Sequence, residues 1–297
     1  MLISLKNDSV SAVIETVGAE LQSLKDRNKK EYIWQRDPRF WAKSSPVLFP
    51  AIGNSRCGRT IFDGQWYELS KHGFARDMEF AVETKSENKV SLVLKAAEET
   101  RAVFPYDFCL VMEYQLTDEG ILINYRVENH GEKTMYYCLG AHPAFNCPME
   151  DGEHFEDYCL EFEHKENCCA MVYDLKRLEF DAESKGYHMA DTAVLPLKYE
   201  LFDSDAIYFE NLKSQKVSLV HGRTKRGVEV AFGDFATIAF WTPTGQEAPF
   251  LCIEPWNGSA IRSDEDDEFM HKHYVQKLDA GERKEYGLEV RILEGKA

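Results

Sequence analysis

Positive charge is what this 297-residue chain has least to spare: 35 Lys and Arg stand against 51 Asp and Glu, a formal net charge of −16. Nucleic-acid binding draws on a surplus of Lys and Arg that displaces phosphate counterions, so that class is excluded. Docking on anionic membrane surfaces fails on the same count. Long apolar runs are missing too, and no stretch approaches the roughly 18 residues that a membrane span requires. The start, MLISLKNDSV, has neither a basic segment nor an apolar core, so no signal peptide is expected. There are eight cysteines (57, 109, 138, 147, 159, 168, 169, 252) but no CxxC, and the vicinal Cys168-Cys169 has no second pair to complete a zinc site. Most sit in apolar runs such as FCLVM and YYCLGA, where a thiol behaves as a small hydrophobe. Reduced thiols in a cytoplasmic protein are the expectation. Internal repeats, low-complexity linkers and composition shifts are absent as well, which favours a single domain over residues 1–297.

What the chain does have is ordinary globular composition, 44% hydrophobic and 29% charged, and a strong period-two alternation. Ile121, Ile123, Tyr125 and Val127 share one face, while Asn124, Arg126 and Glu128 share the other. Val90, Leu92 and Leu94 repeat the pattern, as do the stretches Lys216 to His221 and Gly227 to Phe232. Successive strand side chains point to opposite sheet faces, so these runs predict half-buried antiparallel strands. Turn chemistry separates them at Asp118-Glu119-Gly120, Asn129-His130-Gly131 and Phe62-Asp63-Gly64. Only Glu98 to Val103 and Glu265 to His273 read as helical. An all-β protein follows, a large sandwich or barrel. The acidic run Asp264 to Glu268 reads as a solvated loop or first helical turn rather than a cation site.

Four segments do not read as plain strand or turn. Ser45 to Gly53 (SPVLFPAIG) is apolar but carries two prolines, so it crosses a sheet edge or lines a cavity. His72-Gly73-Phe74-Ala75-Arg76 sets two polar groups around a glycine that permits close backbone approach. Gly140 to Asn146 (GAHPAFN) holds His142 before a proline, as a hydrogen-bonded structural residue or as a catalyst. Cys252 to Gly258 (CIEPWNG) ends an apolar strand on Glu254. A carboxylate among Leu251, Cys252, Ile253 and Pro255 is partly desolvated, which raises its pKa unless a cation faces it. It is then either a general base or acid, or half of an ion pair with a buried Arg. Trp256 beside it offers a flat face for a sugar ring or simply packs in the core.

In this order and spacing the segments resemble the aldose 1-epimerase (galactose mutarotase) family and the related hexose-phosphate 1-epimerases. The resemblance covers nearly the whole chain, from Gly18-Ala19-Glu20-Leu21 and Tyr32-Ile33-Trp34, through Phe104-Pro105-Tyr106, to Leu278-Asp279-Ala280-Gly281-Glu282. It implies a large antiparallel β-supersandwich, the galactose mutarotase-like fold. It also implies a cofactor-independent, metal-free isomerase that interconverts the α and β anomers of a hexose. In that reaction a base takes the proton of the C1 hydroxyl while an acid protonates the ring oxygen; the ring opens, C1–C2 rotates, and the aldehyde recloses on its other face. Carried over by motif, Glu254 corresponds to the general base and His142 to the general acid. His72 and Arg76 correspond to substrate-binding positions. Asp205 corresponds to the sugar-binding aspartate, with Asp203 as the second choice.

One departure stands out. Where relatives carry an arginine after the FPxxG run, this chain reads Gly53-Asn54-Ser55-Arg56-Cys57-Gly58-Arg59, with Asn54 at the expected place and Arg56 as its possible substitute in substrate binding. Two alternatives to a free hexose reaction follow. Arg56, Arg59, Lys71 and Arg76 could bind a hexose 6-phosphate, since charge-assisted bonds to phosphate are strong. Or the chain could be a non-catalytic carbohydrate-binding or sensor protein of the same fold. A metal role for His271 and His273 near the acidic run, or for Cys147, Glu150, Asp151 and His154, is not expected, because neither set has convergent spacing. The expected partner is a small-molecule carbohydrate, with the chain a monomer or homodimer.

Overall fold

The computed structural model describes residues 1–295. Its centre is a 15-stranded antiparallel sheet, accompanied by a three-stranded sheet of Leu2–Lys6, Val10–Glu15 and Glu20–Asp26 and two small two-stranded sheets. The alternation is borne out in detail: Gly120–Asn129 pairs with both Phe108–Leu116 and Arg283–Leu293, and its inward residues Ile121, Ile123, Tyr125 and Val127 are buried. The turn Asp63-Gly64 joins Arg59–Phe62 to Gln65–Glu68 with φ of 50° and 75°, the backbone that suits a two-residue hairpin twisted like its strands. One core cluster runs from Ile3 to Val290 and draws on nearly every strand.

Of the two expected helices, the first is a single turn, Glu98–Arg101. The second does not form: Glu265–His273 contains only a 3-10 turn at Phe269–His271. The cause is Glu265, whose carboxylate is turned inward rather than solvated. It accepts the backbone N–H of Arg262 and of His273 and lies 3.6 Å from the buried Lys272 ammonium. The segment wraps around that carboxylate, which leaves its backbone no helical ladder. Asp264 and Asp266 remain exposed, so the loop reading holds for the rest of the acidic run.

The proline-rich segment both forms an edge and reaches a cavity. Val47–Leu48 is the terminal strand of the large sheet, paired with Leu139–Ala141, and Gly53 just beyond it lines a cavity that also holds His72 and His142. Gly73, at φ 73°, presses against this segment; a Cβ there would sit 2.2 Å from the Phe49 carbonyl oxygen. Among the described residues no helix is long and apolar enough to cross a membrane. All eight cysteines are unpaired.

Candidate active site

Strand Phe250–Asn257 is buried along its whole length and organises the site. Two short strands, Leu139–Ala141 and Ala144–Asn146, pair with it on the same side and in the same register. The interruption between them is His142-Pro143, where proline cannot donate to the ladder. Because the register is the same on both flanks, His142 falls opposite Glu254. The imidazole Nε2 lies 3.1 Å from the Glu254 carboxylate, and Ile253 N–H still bonds the Pro143 carbonyl at 3.0 Å. The His142 ring is clamped by Trp41, stacked at 4.9 Å between centroids, and by the edge of Trp241 at 5.7 Å. Its Nδ1 has no hydrogen-bond partner, and neither does the buried Trp256 indole N–H.

A cavity of about 310 Å³ opens beside this pair, within the range of small-ligand sites. His142, Glu254, His72, Arg76, Asp205 and Trp256 all line it. His72 sits at φ 65° and exchanges two bonds with Gly53: its own N–H donates to the Gly53 carbonyl, and its Nδ1 accepts the Gly53 N–H at 3.1 Å. With Nδ1 accepting, the neutral ring carries its proton on Nε2 and can donate it. Arg76 is fixed through its backbone. Gly18, at φ 70°, packs so close that a Cβ would fall 2.5 Å from the Arg76 carbonyl oxygen, and Lys43 donates to that same oxygen at 3.1 Å. The glycine of the GAEL motif therefore supports the HGFAR motif. Its Glu20 is buried and accepts Ser44 N–H at 2.6 Å and Ser45 N–H at 3.0 Å, anchoring the start of the proline-rich segment.

Asp205 precedes strand Ile207–Glu210 at φ 71°, and its Oδ1 accepts the Trp241 indole N–H at 2.8 Å. Asp203, two residues earlier, is exposed and away from the cavity. Arg56 is also away from it. Its guanidinium is bonded to Asp267 at 2.8 Å and to the carbonyls of Arg262 and Glu265, with Glu179 at 3.6 Å. Arg56 is therefore not among the side chains that line the cavity. Asn54 instead donates to the Tyr173 hydroxyl at 3.0 Å, and Tyr173 lines the cavity. Arg59 lies over the exposed Trp66 ring, while Lys71 reaches the cavity wall. His271 and His273 bond separate carboxylates, Asp266 and Glu265.

Burial dominates the electrostatics. It pushes Glu254 well above the usual carboxylate range, reinforced by Asp205 and opposed by Lys71 and the nearby Trp256 indole. The indole acts on Glu254 by proximity, since it does not reach hydrogen-bond geometry. Burial lowers His142 to about 3 and holds His72 well below 6.5, with Lys71 and Arg76 adding to both. The side chains missed from sequence are Trp41, Tyr173, Phe180 and Trp241, which form the cavity's aromatic walls. None carries a motif of its own, although Trp41 lies just upstream of the proline-rich segment.

A buried His–Glu pair beside a cavity of small-ligand size agrees with the family comparison, in which the aldose 1-epimerase profile matches residues 1–276. The chain belongs to the aldose 1-epimerase family. It is 36% identical over 284 residues to the protein LacX of Lactococcus lactis subsp. lactis, covering 94% of this chain and 95% of that one. The structure of a galactose mutarotase related enzyme from Lactobacillus acidophilus superimposes with a TM-score of 0.92 at 31% identity, covering 100% of this chain and 98% of that chain. A galactose mutarotase-like protein from Lactobacillus casei gives 0.89 at 31% identity, with 99% and 100% covered. This epimerase is thus an isomerase with the galactose mutarotase-like fold, and the reading as a non-catalytic sensor is set aside.

Proposed function

We propose that this epimerase interconverts the anomers of an aldose, with Glu254 as the base at the C1 hydroxyl and His142 as the acid at the ring oxygen. The observation that carries this is the 3.1 Å contact between the two side chains, buried together at one wall of the cavity. One proton shared by that pair is what the chemistry consumes and returns: Glu254 takes the hydroxyl proton, His142 supplies one to the ring oxygen, and reclosure reverses both transfers. His72 Nε2–H, the Arg76 guanidinium and the Asp205 carboxylate supply donors and an acceptor for the remaining hydroxyls. Trp256 and Trp241 offer apolar faces to the ring. No step requires a cofactor. The continuous core supports one domain over the whole chain, and the free thiols support a cytoplasmic setting. Anomer exchange measured by NMR on a panel of aldoses tests the assignment. Glu254→Gln should lower the rate by about 10²–10⁴-fold, and an unchanged rate would rule it out.

Lys71 favours a second reading for the substrate. Lys71 lines the cavity, and among the described residues it makes no ion pair. Together with Arg76 it would suit a phosphorylated sugar, although Arg56 and Arg59 of the expected basic cluster are engaged elsewhere.

A further inference from the structure

Strand periodicity puts a third group beneath the acid–base pair. Cys252 lies two residues before Glu254 on the same face of Phe250–Asn257, opposite Ala144, just as Glu254 is opposite His142. One ligand atom each from His142, Cys252 and Glu254 lie within 4.8 Å of one another, and all three residues are buried. Cys252 packs with Trp34, Ala144, Ala248 and Phe250 and is fully shielded from solvent, whereas His142 and Glu254 border the cavity.

We propose that His142, Cys252 and Glu254 form an inhibitory binding site for a borderline-soft divalent cation such as Zn²⁺, with the fourth coordination position facing the sugar cavity. The donor set is an imidazole, a thiolate and a carboxylate, which are the ligand types Zn²⁺ takes. Tetrahedral Zn²⁺ places its ligand atoms roughly 3.5 Å apart, so the existing contacts need only small rotations, mainly of the Cys252 side chain. Thiolate and carboxylate together neutralise the ion in a buried setting where an uncompensated charge would be costly. Binding would occupy the His142 nitrogen and the Glu254 oxygen that move protons, so metal and turnover would exclude each other. The ion is therefore an inhibitor rather than a cofactor.

Titration of the full chain with Cd²⁺, followed through the ultraviolet thiolate-to-metal charge-transfer band, reports a sulfur-ligated site directly. The wild type should give a band that saturates at one equivalent and is competed by Zn²⁺. Cys252→Ala should lose that band and weaken Zn²⁺ binding by calorimetry at least 10-fold, while the other seven cysteines remain. Anomer exchange by the wild type should be inhibited by Zn²⁺ and restored by a chelator, and the Cys252→Ala enzyme should keep its basal rate and resist Zn²⁺. The same band in Cys252→Ala, or no saturable band in the wild type, overturns the proposal. If Cys252→Ala proves unstable, Cys252→Ser keeps the volume and removes the thiolate. The absorbance readout does not depend on turnover, so failure of the metal site and failure of the proposed mechanism are separable.

Discussion

His142 and Glu254 face each other across one antiparallel ladder, 3.1 Å apart, with burial driving both towards their uncharged forms. A neutral imidazole beside a protonated carboxyl holds the same number of protons as an imidazolium beside a carboxylate. The two arrangements differ by one proton moved across the contact, so the pair titrates as a unit. The singly protonated pair persists between the pH at which a second proton enters, set by His142 at about 3, and the pH at which the shared proton leaves, set by the raised Glu254. The kcat/KM profile should therefore stay flat through pH 6.5 and fall only well below it on the acid side. An acid limb centred on the ordinary histidine value would contradict this.

The same shifts have a cost in stability, and its sign differs between groups. His72 and His142 are depressed in the folded state, so below pH 6.5 the unfolded chain binds protons that the native chain does not, and stability falls on acidification. Glu254 is raised, so above about 4.5 the native chain holds a proton that the unfolded chain has lost, and stability falls as pH rises towards its folded value. Between 4.5 and 6.5 two histidines oppose one carboxyl, and the net contribution still rises with pH. Above 6.5 only Glu254 acts. Glu254→Gln should thus raise Tm relative to wild type at pH 8 while lowering activity, and the gain should vanish near pH 4.5. Scanning calorimetry at both pH values checks it; a loss of Tm at pH 8 would show that the carboxyl stabilises the fold.

Arg56 and Lys71 make a contrasting pair. Arg56 closes a loop through Asp267 and two carbonyls outside the cavity, so Arg56→Ala should cost about 1–3 kcal/mol of stability and leave KM within threefold. Lys71 is exposed and faces the cavity, so Lys71→Ala should leave Tm almost unchanged. If the substrate is phosphorylated, Lys71→Ala should raise KM for the sugar phosphate about tenfold and more at low salt, with little effect on a neutral aldose. Equal effects on both sugars would remove the phosphate reading.

How far the sequence could be read follows from the range of the forces involved. Strands showed because alternation is local, and the side chains that meet at the cavity could be singled out because they sit in or beside short apolar motifs. The register that sets His142 opposite Glu254 depends on pairing between segments more than a hundred residues apart, which no window along the chain contains. Glu265–His273 read as helical because its local pattern allowed it, while the inward turn of Glu265 towards Lys272 and His273 decided otherwise. Arg56 offered a charge two residues past the expected place, and only its partners from residues 262 to 267 show where that charge is used.

Asn54 illustrates the last point in a form that can be measured. Its amide donates to the Tyr173 hydroxyl at 3.0 Å. Tyr173, next to last in strand Tyr158–Asp174, pairs with Phe180, second in the returning strand Glu179–Pro196, and both reach the cavity. With its oxygen accepting from Asn54, the Tyr173 hydroxyl keeps its own proton free to donate into the cavity. Tyr173→Phe removes that donor and leaves the Asn54 amide unpaired, whereas Asn54→Ala keeps the donor and removes only its orientation. Tyr173→Phe should therefore raise KM by about 5–10-fold with kcat little changed, a loss of roughly 1 kcal/mol in ground-state and transition-state binding alike. Asn54→Ala should give a smaller rise in KM. A fall in kcat at constant KM for Tyr173→Phe would instead put the hydroxyl in the proton transfers.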